Sequence, residues 1–368
     1  MPGSSETQNA PPLSKIELRE RIRRQGLELG FDAIGFAPAV APPGYPDMLD
    51  WLEMGQNAGM AYMERQAQAR AHPRGVFEPV ATVIVAVLNY KPETSSKPGP
   101  GDESIASKRT CGHVAAYAQG RDYHFIFWER LDKLLAAIQA DLPDVRGRAV
   151  ADSAPLMERD FARLAGLGWF GKNTCLIHKS IGSFTLLGAL LIDLELPPDA
   201  PFEADHCGTC TRCLDACPTQ AFEGPYRLDA RKCISYWTIE HKGHLPDEAA
   251  DDLHGWAFGC DICQQVCPWN RKPPAASDAE IRGDGRFHEP DLLDWLEMEP
   301  AEMKRLIKGT ALERSKRAGL VRNACHVLAG NGASESLPAL NRLAESDPDE
   351  VVRHAAARAA ARLQSNSK

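Results

Sequence analysis

The chain has 368 residues, of which 43% are hydrophobic and 25% are charged, and its formal net charge is −8. This length is enough for two or three domains, each with its own core. The acidic balance argues against a protein that coats nucleic acid through bulk charge, although it says nothing about a local basic patch. The longest apolar stretches are far shorter than the roughly 20 residues of a membrane-spanning helix, so we expect no membrane span.

Residues 1–13, MPGSSETQNAPPL, have no apolar run behind a basic start. They predict a disordered lead rather than a secretory signal. The chain contains 11 cysteines, which without an export signal favour a reducing compartment, where thiols serve metals or catalysis. We therefore expect a cytoplasmic protein, and take a monomer as the default state.

Helices and strands alternate through residues 14–196, which predicts an α+β or α/β domain. Ser14 and Glu17 have the spacing of a capping box at the start of a helix that ends at Gly30. The continuous apolar run 81–90 predicts a strand covered on both faces. The other predicted elements are a strand at 31–36, a helix at 46–68, a helix from 124 to about 141, a strand at 148–152, a helix at 153–166 and a strand ending at 196.

Two stretches, residues 206–218 and 259–270, carry cysteines at ferredoxin spacing, CxxCxxCxxxCP and CxxCxxxCP. In such a motif three thiolates hold one four-iron four-sulfur cluster, and the fourth serves the neighbouring cluster. The second stretch lacks one ligand, and Cys233 is the candidate to supply it. Structural zinc sites are the alternative, but the tight spacing and the closing prolines favour iron and sulfur. We assign one cluster to Cys207, Cys210, Cys213 and Cys267, and the other to Cys217, Cys233, Cys260 and Cys263.

Helical repeats are predicted after residue 275. The sequences VRNA at 321–324 and VRHA at 352–355 are 31 residues apart, and each opens a helix rich in alanine and leucine. Asp347 and Glu350 predict an N-cap and its capping partner at the second copy. Paired helices at such a period resemble HEAT repeats. The sequence thus divides into a lead (1–13), a catalytic domain (14–196), a ferredoxin-like two-cluster domain (197–275) and a HEAT-like domain (276–368).

The two clusters alone transfer single electrons and offer no site for bond breaking. Asp152 is the first candidate for the missing chemistry. A carboxyl group at the end of a buried strand has its neutral form favoured, and can then donate a proton to a reduction product. The alternative is that Asp152 caps the helix predicted from Ser153.

A local basic patch is predicted between residues 304 and 322, where seven basic residues face the single acid Glu313. Such an excess in an acidic protein suits a phosphate-binding face. A solvated helix surface is the alternative. The candidate RNA contacts are Arg314, Lys316, Arg317 and Arg322.

Long, ordered motifs add a family resemblance. The stretches DSAPLMER at 152–159, AGLGWFGKN at 165–173 and YAQGRDYH at 117–124, together with the double cysteine motif, resemble epoxyqueuosine reductase. The resemblance implies a tRNA-modifying enzyme that removes the epoxide oxygen of epoxyqueuosine at the wobble position of the anticodon and so forms queuosine. It implies cobalamin, bound without its lower base on cobalt, in an α/β domain, and two 4Fe–4S clusters that carry electrons to it from an unidentified donor. It also implies tRNAs for tyrosine, histidine, aspartate and asparagine.

The same resemblance implies residue roles. Asp152 matches the family's proton donor and also lies at the cofactor, and Ala115 stands where some relatives have a cysteine, so a thiol there cannot be required. A reductive dehalogenase would share the cofactors, but usually has a twin-arginine signal that is missing here. An electron carrier with a docking module is a further alternative. The positions that match cobalamin contacts are Arg70, Asn173, Leu176, Leu187 and Ser235.

Overall fold

The computed structural model describes residues 13–93 and 109–366. The predicted disordered lead lies outside these ranges, apart from Leu13. The first helix has the predicted capping box, with Ser14 and Glu17 bonded reciprocally, and the chain turns at Gly30 with a φ of +90°. The helices of the first half are α1 (Lys15–Glu28), α2 (Tyr45–Glu53), α3 (Ala61–Arg65), α4 (Ala67–Arg70), α5 (Tyr123–Asp141) and α6 (Glu158–Leu164).

A four-stranded sheet forms the centre of this half. Its strands lie in the order β1, β2, β7, β4, and all three pairings are antiparallel. Strand β2 is buried along its whole length, as the continuous apolar run predicted. The antiparallel pairing makes the architecture α+β rather than a parallel α/β sheet. The strands up to this point are β1 (Ala33–Pro38), β2 (Thr82–Asn89), β3 (His113–Val114), β4 (Gly147–Val150), β5 (Trp169–Phe170), β6 (Leu176–Ile177) and β7 (Thr185–Ile192).

The sheet separates two hydrophobic cores. On one face, α1 and α5 pack their apolar side chains against alternate residues of β2 and β7. On the other face, α6 and β6 pack against the intervening residues of the same strands. Successive side chains of a strand point to opposite faces, so two central strands can serve both cores.

Two predicted helices are shorter than expected. The helix predicted over 46–68 is divided into three. Gly55 and Ala58 adopt left-handed backbone angles that separate α2 from α3, and Gln66, with a non-helical ψ of 9°, separates α3 from α4. The helix predicted from Ser153 begins only at Glu158, because Pro155 disfavours helical geometry at the preceding residue.

The cysteine-rich segment consists of short elements between long loops. A π-helical turn, Tyr236–Glu240, follows Cys233. The helices and strands of this segment are α7 (Arg212–Asp215), β8 (Phe222–Gly224), β9 (Arg227–Leu228), α8 (Asp247–Asp251), β10 (Trp256–Phe258) and α9 (Ile262–Gln265).

Helices alone follow among the described residues of the C-terminal part, and they pack around one core. The second repeat motif lies near the start of its helix, but the first helix begins at Lys316, five residues before its motif. Asp349 caps the last helix by accepting from the Val351 N–H, so the predicted cap at Asp347 is wrong. No described helix is long and apolar enough to cross a membrane. The helices are α10 (Ala279–Arg282), α11 (Leu292–Glu297), α12 (Pro300–Ile307), α13 (Lys316–Gly330), α14 (Leu337–Ser346) and α15 (Glu350–Asn366).

Candidate active site

Asp152 lies just beyond the end of β4, where the chain leaves the central sheet. Its φ is +54°, a left-handed conformation that is uncommon outside glycine and that occurs at strained functional positions. The side chain is 71% accessible to solvent, yet burial acts on the pKa of its carboxyl group. The carboxylate therefore projects into a cleft. Asp152 caps no helix, which removes the alternative interpretation of this residue.

Two residues at the start of α5 hold the Asp152 carboxylate. The Tyr123 hydroxyl donates to Asp152 Oδ2 over 3.1 Å, and His124 Nε2 lies 3.5 Å from the same oxygen. On its other side, His124 Nδ1 is 2.6 Å from Asp122 Oδ1. An imidazole is thus placed between two carboxylates, with one ring nitrogen directed at each.

This arrangement sets the protonation states. Burial opposes a charge on His124, but its hydrogen bonds to Asp122 and Asp152 outweigh burial and raise the pKa of His124 to about 9. The hydrogen bond from His124 is also the largest influence on Asp152, and it lowers the pKa of that carboxyl group. The prediction that Asp152 has its neutral form favoured is therefore wrong for the free site, because the imidazolium stabilises the carboxylate more than burial destabilises it. At neutral pH the proton is on His124.

A second carboxyl group, Glu158, lies at the start of α6. Burial raises the pKa of Glu158 to about 8, and the nearby negative charge of Asp152 adds to the increase. Its Oε1 atom is buried without a hydrogen-bond partner among the described residues. Arg70 is also buried, and its guanidinium interacts with the charges of Glu158 and Asp152. The predicted Arg70 and Asp152 therefore meet in one cleft.

The predicted leucines line the same side of the sheet. Leu176 and Leu187 belong to one core cluster with Ala154 and Leu156, which directly follow Asp152. Leu176 is buried in that core, whereas Leu187 is half-buried and shares its face of β7 with Thr185. The Thr185 hydroxyl is buried with no partner among the described residues. A half-buried leucine beside unpaired polar atoms fits a large bound group with both apolar and polar parts.

Asn173 and Ser235 lie on the cysteine side of this region. The Asn173 side chain donates to the Cys263 carbonyl over 3.5 Å, and the Ser235 N–H donates to the Cys233 thiol. The predicted cofactor positions thus extend from the Asp152 cleft to one of the two cysteine groups.

The first cysteine group combines both motifs. A cavity of about 150 Å³ is lined by four thiol-bearing residues, of which Cys267 comes from the second motif. Burial raises the pKa of Cys267, and the nearby thiols of Cys207 and Cys210 add to the increase. The group consists of Cys207, Cys210, Cys213 and Cys267.

The second group is formed in the reciprocal way. Burial raises the pKa of Cys260 to about 12, with further contributions from Cys233 and Cys217. Cys217 belongs to the first motif in sequence, but in space it groups with Cys260 of the second motif. A hydrogen bond between the Cys175 and Cys263 thiols raises the pKa of Cys263 further. The group consists of Cys217, Cys233, Cys260 and Cys263.

Each of these two groups combines thiols from both cysteine motifs. Four thiolates per group, with the closing cysteine exchanged between the motifs, is the ligand arrangement of two iron–sulfur clusters.

The predicted basic patch is not one surface. Arg322 is only 1% exposed and donates to the carbonyls of Trp237, His241 and Gly243. Its prediction as an RNA contact is wrong, because a buried guanidinium that binds three carbonyls has no face left for a phosphate. Arg317 is half-buried and forms an ion pair with the buried Asp347.

Arg314 and Lys316 are exposed, and Arg314 lies near the cleft. Its guanidinium makes two hydrogen bonds to Glu240, of 3.0 and 2.8 Å, and lies 5.8 Å from the centre of the Tyr62 ring. Its positive charge also lowers the pKa of Asp152. The C-terminal part therefore brings a cation close to Asp152.

Comparison with known proteins gives the family of the chain. A family model described as epoxyqueuosine reductase QueG, DUF1730, matches residues 70–153, and a 4Fe-4S double cluster binding domain matches residues 206–270. Epoxyqueuosine reductase of Cyclobacterium marinum is 39% identical over 314 residues, which cover 84% of this chain and 97% of that protein. The chain belongs to the epoxyqueuosine reductase family. It is accordingly an oxidoreductase, so the electron-carrier and dehalogenase interpretations are both wrong.

Other members of the epoxyqueuosine reductase family agree along the whole length. The Pseudomonas aeruginosa relative is 37% identical over 353 residues, 94% of each chain. A solved epoxyqueuosine reductase in complex with an epoxyqueuosine-modified tRNA-Tyr stem loop superposes with a TM-score of 0.87 and 29% identity, covering 95% of this chain and 91% of that one. The fold of that family is therefore shared by this chain, including its C-terminal part.

The contacts of His124 and Asp122 and the burial of Glu158 are not evident from the sequence, where YAQGRDYH carries only the family resemblance. A signal was present, because a histidine beside two acidic or phenolic residues is a common proton-transfer arrangement. The distance of 28 positions between His124 and Asp152 concealed their contact.

Proposed function

We propose that this chain reduces epoxyqueuosine to queuosine in the anticodon of tRNA, with two 4Fe–4S clusters, cobalamin and the Asp152 site. The observation that carries the proposal is the position of Asp152. It lies beside His124, and the residues that follow it, Ala154 and Leu156, share a hydrophobic cluster with Leu176 and Leu187. Asn173, three positions before Leu176, contacts the second cysteine group.

The cysteine assignment follows the two spatial groups. We propose that Cys207, Cys210, Cys213 and Cys267 hold the cluster nearer the surface, and that Cys217, Cys233, Cys260 and Cys263 hold the one nearer the cleft. Each closing cysteine then ties its own motif to the other cluster, which fixes the distance between the clusters. Asn173 lies between the two groups, since it lines the cavity of the first and contacts Cys263 of the second. The Ser235 contact to Cys233 supports this order.

We propose that cobalamin binds between this second group and Asp152. When bound, it would supply a low-potential cobalt centre that accepts electrons from the clusters and delivers them to the epoxide. Leu176 and Leu187 would exclude water from the corrin, while Arg70 and Asn173 would bind its polar groups. The unpaired Glu158 and Thr185 oxygens support a partner with amide hydrogens.

Conversion of an epoxide to an alkene with loss of water takes two electrons and two protons. We propose that the His124 proton passes through the Asp152 carboxylate to the departing oxygen, and that solvent then recharges His124, which Asp122 keeps protonated, for the second proton. The pKa of His124, raised to about 9, supports this because the proton is present at neutral pH. Tyr123 holds the Asp152 oxygen in position.

The anticodon would enter over the cleft. Proteins read single-stranded RNA loops by splaying out bases, and a base in this cleft would lie close to Arg314. We propose Arg314 and Lys316 as phosphate contacts. Arg317 would contribute only to the structure, through its ion pair with Asp347. The tRNAs that the family resemblance implies as substrates are those for tyrosine, histidine, aspartate and asparagine.

The test is conversion of an epoxyqueuosine-containing tRNA-Tyr stem loop by anaerobically purified protein with cobalamin and dithionite, followed by mass spectrometry of the nucleoside. We expect loss of one oxygen atom, and base-off cobalamin in the absorption and electron paramagnetic resonance (EPR) spectra. A protein that contains both clusters but binds no corrinoid, or that leaves the nucleoside unchanged, would refute the proposal.

A further inference from the structure

A continuous basic surface surrounds the first cysteine group. Two neighbouring cavities share Pro268 and Trp269 as their common wall. Four cations line them and no carboxylate does, although the whole chain carries a net charge of −8. We define the cluster face as these cations and their shared wall: Lys172, Lys179, Arg212, Lys272, Pro268 and Trp269.

Of the carboxylates nearest in sequence, Asp205 offsets part of the positive charge of Lys172, because the two charges interact. Asp205 accepts from the Cys207 N–H over 2.7 Å and from the Tyr226 hydroxyl. Asp215 accepts from the Thr211 hydroxyl over 2.7 Å. Both are engaged by the cysteine segment itself, and neither lines the two cavities.

The centre of the cluster face is aromatic and close to the thiols. Trp269 follows Cys267 by two residues, and its ring lies 4.8 Å from that of Trp169 and 5.7 Å from that of His206. A partly exposed aromatic centre within a charged rim is the usual composition of a protein interface. Because it lies directly over the first cysteine group, a partner bound here would be within a short distance of that cluster.

We propose that the cluster face is the docking site of a small acidic one-electron carrier protein, which reduces the first cluster by one electron per encounter. This inference rests on the proposed function. In each encounter the carrier loses one electron and the oxidised cluster gains it, so two encounters supply one turnover. Charge complementarity speeds such brief contacts without requiring a large interface. RNA is less suited to this face, because the Asp152 cleft has its own cation, Arg314.

The experiment measures cluster reduction by stopped-flow absorbance, with a reduced plant-type [2Fe–2S] ferredoxin as the probe and no tRNA present. The variant is Lys179→Glu with Lys272→Glu, because both side chains lie outside the cysteine motifs. The matched control is Arg24→Glu with Lys133→Glu, an equal charge change on exposed positions of α1 and α5. Iron content and the rate of reduction by dithionite report whether the clusters are intact.

At low ionic strength we expect the second-order rate constant to fall roughly tenfold or more in the variant, with a smaller difference at high salt. The control should stay within about twofold of the unmodified protein. Equal rate constants for variant and unmodified protein at low salt would overturn the proposal. So would a variant that loses tRNA affinity but keeps its ferredoxin kinetics, since that result assigns the face to RNA.

The two proposals fail in distinguishable ways. If the docking proposal is wrong, the mutations leave the ferredoxin kinetics unchanged, while dithionite-driven conversion of epoxyqueuosine still occurs. If the proposed function is wrong, no conversion occurs with dithionite, whereas the ferredoxin kinetics still depend on Lys179 and Lys272.

Discussion

His124 Nε2 lies 3.5 Å from the Asp152 carboxylate, although the two residues are 28 positions apart. Because Asp122 holds the other ring nitrogen, the imidazole is charged at neutral pH and Asp152 is ionised. The proposed acid of this site is thus an Asp–His pair that shares one proton, rather than a carboxyl group made neutral by burial.

The Asp152→Asn variant should lose turnover while keeping its clusters. An amide cannot deliver the proton, and general acid catalysis typically contributes a factor of about 10² to 10⁴. We expect a fall of at least about 10² in kcat on the tRNA stem loop, with unchanged iron content. Asp144→Asn, in an exposed loop, is the matched control. Full activity of Asp152→Asn would eliminate Asp152 as the required acid.

Activity should fall on the alkaline side as His124 loses its proton. With a pKa of about 9, kcat/KM should decrease above that pH. The Asp122→Asn variant lacks one of the two carboxylates that raise this pKa. Its alkaline limb, the decrease of kcat/KM at high pH, should therefore begin at lower pH. A pH–rate profile of both proteins measures this shift. An unchanged limb in the variant would show that His124 does not control the step.

The same pair predicts the pH dependence of stability. The raised pKa of His124 stabilises the fold. This contribution is fully present at pH values below the unfolded-state pKa of about 6.5, and it disappears as pH rises through about 9. The lowered pKa of Asp152 acts in the opposite direction, and its contribution is lost as pH falls below the ordinary aspartate range. Denaturant unfolding of His124→Gln at pH 7 and pH 10 should show a smaller deficit at pH 10. An equal deficit at both values would contradict the assignment.

Arg322→Ala should destabilise the fold rather than weaken RNA binding alone. Burial lowers the pKa of Arg322 to about 10, so the guanidinium is charged at neutral pH and binds three carbonyls that the variant leaves unpaired. The loss should be about 3 kcal/mol or more in the free energy of unfolding. Lys316→Ala, at an exposed position on the same helix, should leave that free energy unchanged in the same denaturant titration. A stable Arg322→Ala protein would refute this role.

Lys316→Ala should weaken tRNA binding and reduce the slope of log K against log salt concentration by about one, as expected for one lost phosphate contact. Fluorescence anisotropy of the stem loop across a salt series measures both. Lys133→Ala on α5 serves as the control. If the slope of Lys316→Ala matches that of the control, Lys316 is only a solvated side chain.

Cys175→Ala should lower the midpoint potential of the second cluster. The Cys263 thiolate has no proton when it binds iron, so Cys175 is then the donor in their hydrogen bond. Hydrogen bonds to cluster sulfurs raise the potential because they stabilise the reduced, more negative state. EPR-monitored redox titration measures the shift, and Cys175→Ser, which keeps a donor, should shift less. An unchanged potential in the alanine variant would contradict the role.

Local patterns were sufficient for much of this protein. The Ser14 and Glu17 capping box and the buried run that became β2 follow from residues close in sequence, which a linear pattern records directly. The exchange of Cys217 and Cys267 between motifs joins distant residues, and it was predictable because the ferredoxin spacing itself implies it. The family motifs added the reaction, because they match long ordered stretches.

Only the tertiary structure decided which charges are available and where protons reside. Arg322 is buried because the Tyr236–Glu240 turn and the loop after it direct their carbonyls at it, and Arg317 is neutralised by Asp347. Asp152 is ionised because the chain brings His124 to it from a different helix. Charge and pKa depend on neighbours in space, and a sequence pattern identifies those neighbours only where they are also neighbours along the chain.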